Sequence, residues 1–490
     1  MGGAGLQFAF RVFHHQRVAL AAMSVRTEAE AAAVLAGFET EHRLFELSVR
    51  GVSVWRLLRF PVGFALQNLP FSKAPLPRGE LLAAFFRSLR DLVRLPTGAR
   101  YAVKSYVSAL RVRGEHGYED IYFERLLDEV SGGVRLYSLN APGYFGRKAG
   151  SAAPMIDCTA VNVAGALLAK VLPVREGDAV FAKLSELIGR RLGITEFPVG
   201  RIRRMFSSFW WQSRLYERIL RRLGAKTVFA ADTGERALLG ACRRLGVRFV
   251  ELQHGIFTPD HPDSLPVAVL ALAEETALLL PDVVALYGDY WLARQADSVL
   301  GKTGRLLSVG ASVIERFRAM RARDFRPSPE CPRLVVTTQG IDRDALIGFL
   351  SRFLSLYPEP CLLTIKLHPA YDISLDHYLI MLGSDSRVRI VGGRDDPNTY
   401  ELIAGADLHL SIASACHYDA LGIGTPTLII GLAGYPLVQS LIDSGDALFA
   451  GDSGALADIV ARRAWAPVTT TVSDKYYRHG FVQNMSALIV

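Results

Sequence analysis

Between residues 226 and 252 the chain switches periodicity twice. KTVFAA is β-branched and aromatic, ERALLGACRRLG carries apolar residues at helical spacing and stops at Gly246, and VRFVEL is apolar again. A strand, helix, strand unit of this length predicts a right-handed βαβ crossover with parallel strands. Asp232 and Glu235, three residues apart, predict a capping box at the start of the helix. Upstream, YEDIYF and VRLYSL read as strands around the helical ERLLDEV. Downstream, LLSVG, RLVVTT, CLLTIKL, VRIVG, LHLSI and TLIIG read as a second series, with helical segments such as DALIGFLSRFLSLY and ELIAGA between most of them. PDVVALYGDYW adds one short strand between the series, and WLARQADSVLG reads as a helix leading into the second. The alternation predicts an α/β chain of two Rossmann-like doubly wound lobes, over residues 114–300 and 301–490. Residues 1–113, punctuated by Pro70, Pro75, Pro77 and Pro96, read as a mostly helical N-terminal appendage.

The short polar motifs fall where apolar strands end. Gln253-His254-Gly255 follows VRFVEL, Gln339-Gly340 follows RLVVTT, His368-Pro369 follows CLLTIKL, and Ser411 and Ser414 stand in LHLSIAS. Ligands of open parallel sheets bind outside the carboxyl ends of the strands, so these residues are expected to line one cleft.

Charge and composition narrow the picture. The formal net charge is +8 and the excess is uneven: from Arg78 to Arg113 there are eight Lys/Arg against two acids, interleaved with Leu, Phe and Tyr. That mixture suits an anionic membrane surface or an anionic substrate, and equally a solvated helix face. A second basic stretch, Arg190 to Arg222, contains Trp210 and Trp211. No zinc-finger, RRM or basic-region signature accompanies these stretches, which argues against nucleic acid as a partner. Five cysteines (Cys158, Cys242, Cys331, Cys361, Cys416) without CxxC spacing exclude a disulfide framework and a structural zinc site. The most apolar stretch, Val267 to Leu280, is broken by Glu274 and Glu275, short of the roughly 18 apolar residues of a membrane span. The apolar N-terminal segment is interrupted by Arg11, His14, His15 and Arg17, unlike a secretory signal, and a cytoplasmic location is expected, peripheral to the inner membrane face if the basic stretch binds lipid.

The candidate chemistry follows from residue types at the strand ends. Lys366 and His368 are donors suited to a diphosphate, and Pro369 fixes the turn that aims the histidine. Ser411 and Ser414 open a helix, whose free N–H groups attract anions. His254 supplies an imidazole, the side chain most used for proton transfer, and Gly255 would permit a close approach or a positive φ. Asp260, His261 and Asp263 follow in a proline-containing loop, but no short-spaced set resembles a metal site, so neither metal nor cofactor is expected.

Together, ELQHGIFTPDHPDSLP, LYGDYW, KLHP and the serine-containing helix start followed by GTPTLII resemble bacterial surface-polysaccharide (capsule or O-antigen) glycosyltransferases of the GT-B fold. These are relatives of CDP-glycerol glycerophosphotransferases and of bacterial sialyl and 3-deoxy-octulosonate transferases. The resemblance spans about Tyr118 to Phe449. It implies a nucleotide-sugar donor of CMP, CDP or UDP type, held through its phosphate by His368, Ser411 and Ser414, with Lys366, Pro369 and Gln339 beside them. It implies a glycan or lipid-linked acceptor in the first lobe, near Gln253, Gly255 and His261. His254 would face the reaction centre as general base, with Asp232 or Asp260 as substitutes. The serine run is SIAS instead of Ser-Ser and the first motif is QHG instead of THG, which favours a sugar over a polyol phosphate. A CDP-polyol phosphotransferase and a non-catalytic glycan-binding protein are the alternatives.

Overall fold

The computed structural model describes residues 27–68, 76–231, 234–340, 342–369, 371–372 and 375–490; Asp232 and the expectation for the first 26 residues lie outside them. The first lobe is built on a seven-stranded sheet of β1 (Tyr101–Tyr106), β2 (Gly133–Ser138), β3 (Met155–Asp157), β4 (Thr227–Ala230), β5 (Arg248–Leu252), β6 (Val283–Leu286) and β7 (Leu306–Ser308). Its order is β7-β6-β5-β4-β1-β2-β3 and every pair is parallel. The second lobe holds β8 (Arg333–Thr337), β9 (Leu362–Lys366), β10 (Val388–Val391), β11 (Leu408–Ser411), β12 (Thr427–Ile430) and β13 (Leu448–Ala450). That sheet is also all parallel, in the order β10-β9-β8-β11-β12-β13. Read from its own first strand, the second sheet runs 3-2-1-4-5-6 and the first runs 3-2-1-4-5-6-7, the doubly wound order that leaves a crevice where the order reverses.

Helices cover the sheets: α1 (Glu28–His42), α2 (Val54–Leu66), α3 (Arg78–Val93), α4 (Thr159–Val171), α5 (Val199–Leu223) and α6 (Arg236–Leu245) in the first lobe, α7 (Ser312–Asp324), α8 (Arg343–Leu356) and α9 (Cys416–Ile423) beyond it, then α10 (Thr470–Tyr476) and α11 (Phe481–Ser486). Parallel strands covered on both faces are apolar throughout, as in β4, where Val228, Phe229 and Ala230 are fully buried. Each large side chain so buried contributes about 1.5–3 kcal/mol.

Four features differ from the sequence reading. Residues 1–113 are helical over α1, α2 and α3, yet Tyr101–Tyr106 is β1, at the reversal of the first sheet. Leu306–Ser308 pairs with β6, so boundaries at 113 and 300 cut off two strands bonded into the first sheet. The segment YEDIYF yields Tyr118–Asp120, which pairs with Leu110–Arg113 in a separate antiparallel hairpin and bridges Ala149, outside the seven-stranded sheet. The helix after β4 starts at Arg236 with no side-chain cap bond from Glu235. The Glu235 carboxylate instead accepts from Lys104 Nζ at 2.9 Å and Tyr106 Oη at 2.7 Å, which neutralises a lysine buried in the central strand.

The end of the chain returns to the first lobe. Trp291 Nε1 donates to Tyr476 O (3.1 Å), Arg478 N to Tyr287 O (2.8 Å) and Val490 N to Thr227 Oγ1 (3.1 Å). Where the chain leaves the first lobe, Gly310 has φ +90°, and a Cβ there would stand 2.1 Å from Arg478 O, so only glycine fits.

Candidate functional site

In the second lobe the strand order reverses between β8 and β11, and short bonds tie the two strand ends together. Ser411 Oγ donates to Thr337 O at 2.7 Å; Gln339 Nε2 donates to Ala413 O at 2.6 Å while its Oε1 accepts from Ala413 N at 3.0 Å. Ser411 and Gln339 thus build the floor of the crevice. Ser414 Oγ accepts from Cys416 N at 3.1 Å and fixes the first turn of α9. Below this floor two fully buried imidazoles share one hydroxyl: His409 Nδ1 and His417 Nδ1 lie 2.8 and 2.7 Å from Thr427 Oγ1, and His409 Nε2 lies 2.9 Å from Thr337 Oγ1.

Strand β9 brings His368 to the same edge. Its N–H donates to Thr338 Oγ1 (3.2 Å), its Nδ1 accepts from Tyr371 N (3.1 Å), and its ring stacks on Tyr371 at 4.6 Å. With Nδ1 accepting, the neutral ring carries its proton on Nε2. Desolvation and then Arg111 push the His368 pKa down to about 4, against the pull of Asp372, so the ring is neutral at pH 7. Pro369 continues the turn, and Gly393 lets the loop after β10 lie against it: a Cβ there would stand 2.6 Å from Pro369 N. Lys366 turns into that loop, where its buried ammonium donates to Gly392 O (2.8 Å) and Asp395 O (2.5 Å). Desolvation lowers its pKa to about 8, with Asp395 opposing. Lys366 therefore supports the loop that backs His368.

Two residues that sequence reasoning did not assign complete the crevice. Arg111 stands on the hairpin Leu110–Arg113, which is held against the second lobe's 392–396 loop by Arg113 and Asp396 at 3.8 Å and braced by Arg147 Nη1 on Leu110 O at 2.6 Å. Arg111 Nε donates to Ser108 O at 2.9 Å, and the side chain is open to solvent between cleft walls carrying Tyr122, Tyr144, Tyr400 and Cys416. Enclosure works against its charge, but those phenol and thiol groups hold its pKa above the ordinary arginine value. Asp419, in the first turn of α9, is raised to about 6 by desolvation, although the Tyr477 hydroxyl, donating at 2.5 Å, and Arg111 both lower it. Arg111 stands in RVRG, where no local pattern marks a site; Asp419 is visible in the sequence as an acid inside a helix start assigned to anions.

The first-lobe motif reaches the cleft through Gln253. Its Oε1 accepts from Tyr287 N (3.0 Å) and its Nε2 donates to Gly255 O (2.8 Å), and Tyr287 stacks on Tyr477 at 4.9 Å beside Asp419. His254 is exposed at the end of β5 and, with Gln253, Gly255, Phe257 and His261, lines a cavity of about 40 Å³. Gly255 has no positive φ and no atom within 4 Å of a built Cβ, so the expected close approach is absent there. His261 Nδ1 accepts from Asp263 N at 3.1 Å; desolvation lowers its pKa to about 4 despite Asp263. Asp260 lies beside Glu28 of α1, whose pKa is raised by desolvation and then by Asp260, against a hydrogen bond from Thr258. Asp263 is structural: Arg56 Nη1 donates to it at 2.7 Å and Arg236 pairs with it too, and despite burial these arginines hold its pKa below the usual carboxylate range.

The site thus gathers a neutral imidazole N–H, a guanidinium from the opposite lobe and the first turn of a helix at one strand edge. The guanidinium is a charged donor for a phosphate-like anion, with the imidazole and a carboxyl near neutrality beside it. Among the described residues no group of three His, Cys, Asp or Glu could hold a metal ion.

No family model matches the chain, and no curated protein sequence matches it. Among solved structures, a putative UDP-N-acetylglucosamine 2-epimerase from Listeria monocytogenes is similar over 80% of this chain and 95% of its own, at 10% identity and a TM-score of 0.48. MurG from Acinetobacter baumannii is similar over 80% and 99%, at 11% identity and a TM-score of 0.43. The wall teichoic acid polymerase TagF is similar over 84% and 92%, at 9% identity and a TM-score of 0.41. The two-lobed architecture rests on the strand orders and not on these likenesses, whose TM-scores are below 0.5.

Proposed function

We propose that this chain is a GT-B-type glycosyltransferase that moves a sugar from a nucleotide donor onto a growing bacterial surface polysaccharide or lipid-linked glycan. The observation that carries the reading is the convergence of His368, the first turn of α9 and Arg111 of the other lobe on one crevice at a topological switch point. Such fixed donors stabilise the phosphate that leaves as the sugar–oxygen bond breaks, and they act without reorganisation at the moment of reaction. The acceptor hydroxyl then bonds the sugar carbon and gives its proton to His254, which stands exposed at the edge of the first sheet. Asp260, beside Glu28, is placed less well for that task.

The test is thermal unfolding with CMP, CDP, UDP, GDP and TDP, followed by turnover with the nucleotide sugar that binds. A nucleotide at about 100 times its Kd stabilises the native state by about 2.7 kcal/mol. His254→Ala and His254→Asn should both lose turnover by about 10²- to 10⁴-fold at unchanged donor affinity. Near-native turnover in His254→Asn would remove His254 as base; a product joined by a new phosphodiester would replace the glycosyltransferase reading by the polyol phosphotransferase one.

A further inference from the structure

Helix α3 is turned inside out. Its small polar side faces the protein: Ala84 and Ser88 are fully buried, Ser88 Oγ donates to Asp157 O at 2.5 Å and accepts from Ala160 N at 2.9 Å, and Arg87 holds Asp157 at 2.7 Å. Its large apolar side faces out, with Leu82, Phe86, Leu89 and Val93 exposed by 59, 66, 42 and 73%. Their spacing of four, three and four residues puts them in one stripe along the helix. Helix α4 packs beside α3 and exposes Leu167, Val171 and the following Leu172. On the far side α4 lies close on α5, where a Cβ on Gly165 would stand 2.3 Å from Gln212 Cγ, and Trp211 Nε1 donates to Leu172 O at 2.9 Å.

Soluble surfaces scatter single apolar residues; a continuous stripe over two packed helices marks an interaction face. Charge says what it meets. Arg94, Lys170 and Arg222 are exposed around the stripe, Arg222 reaching Val93 O at 3.4 Å; Arg90 is paired with Asp91 at 3.0 Å, and no acidic residue occurs from Thr159 to Arg175. Apolar residues bordered by cations are complementary to a bilayer with anionic headgroups.

We propose that the α3–α4 face docks the protein on an anionic phospholipid bilayer. This holds whichever reaction the cleft performs. It also orients the cleft: Glu80, in the first turn of α3, accepts from Gly143 N at 3.3 Å, and a Cβ on Gly143 would meet Arg394 of the second lobe at 2.4 Å, so one end of the docked helix lies at the interlobe border.

The test is sedimentation of the full chain with phosphatidylcholine vesicles, with and without phosphatidylglycerol, at low and high salt. The wild type should pellet with the anionic vesicles and be released as salt rises. Phe86→Ser combined with Val171→Ser should weaken binding about tenfold or more, with the melting temperature retained because both side chains are exposed. Arg94→Glu combined with Lys170→Glu should remove the preference for anionic lipid. Equal binding by wild type and the apolar variant, or binding that ignores lipid charge, overturns the proposal. So does a wild type that light scattering finds dimeric and Phe86→Ser makes monomeric, since a second copy would then be the occupant. A photocrosslink from position 86 to residues 1–26 of the same chain overturns it as well.

Discussion

Acidification should loosen the second lobe from about pH 6.5 downward, because of the His409–His417 pair. Both rings are fully buried, their centroids are 5.2 Å apart, and Thr427 Oγ1 stands between them. Desolvation depresses both pKa values, that of His417 to about 3 and that of His409 well below the ordinary value, with His417 further disfavouring a charge on His409. In the unfolded chain each imidazole titrates near 6.5, so below that pH the unfolded state binds more protons and stability falls. Their contribution is complete above about pH 6.5 and is lost progressively toward pH 3. Between pH 6.5 and 5 the loss for His417 is about 1.5 units at 1.36 kcal/mol each, about 2 kcal/mol, and His409 adds to it in the same direction. Asp419 acts in the opposite sense: its folded pKa of about 6 lies above its unfolded value, so it gains stability on acidification and reduces the net slope. The assay is urea unfolding at pH 7, 6 and 5 and constant ionic strength, followed by hydrogen exchange of amides in β11 and β12 so that the second lobe alone is read. His417→Asn should start less stable at pH 7 but lose about 2 kcal/mol less on acidification. Parallel pH curves for wild type and variant would refute the argument.

Two more outcomes follow from the site and its supports. Arg111→Ala should weaken nucleotide binding by about 10- to 100-fold, the loss of a charge-assisted bond of about 1.5–3 kcal/mol, with the fold retained since its side chain is exposed; isothermal titration reads this, and unchanged affinity would remove Arg111 from the site. Asp263→Ala should cost about 3–5 kcal/mol in denaturant unfolding, because it strands the guanidinium of Arg56 in the interior beside Arg236.

Most strands were legible because parallel strands covered on both faces must be apolar along their whole length, as RLVVTT, CLLTIKL and TLIIG are. YAVKSY was not, since Lys104 and Ser105 break its apolar run and the neutralising Glu235 lies far along the chain. The same limit applies to the site. Motif position put His368, Ser411, Ser414 and Gln339 at one edge, but it could not tell a side chain open to the crevice from one tied to backbone, as Ser411, Gln339 and Lys366 are. Arg111 was hidden for another reason: its position depends on how two lobes meet, which no local pattern encodes.

The return of the chain end to the first lobe has a mechanical consequence. The polypeptide passes between the lobes near Gly310 and again before Arg478, and those two passages touch. Two adjacent tethers define a single short axle. Relative motion of the lobes would then pivot about that axle, and the hairpin of Leu110–Arg113 and Tyr118–Asp120 meets the second half of the chain close to it, through Glu119 and Arg316 just after Gly310, as well as through Arg113 and Asp396. The guanidinium of Arg111 is carried by that hairpin, so a swing about the axle displaces it little and keeps the first lobe's charge beside the second lobe's crevice.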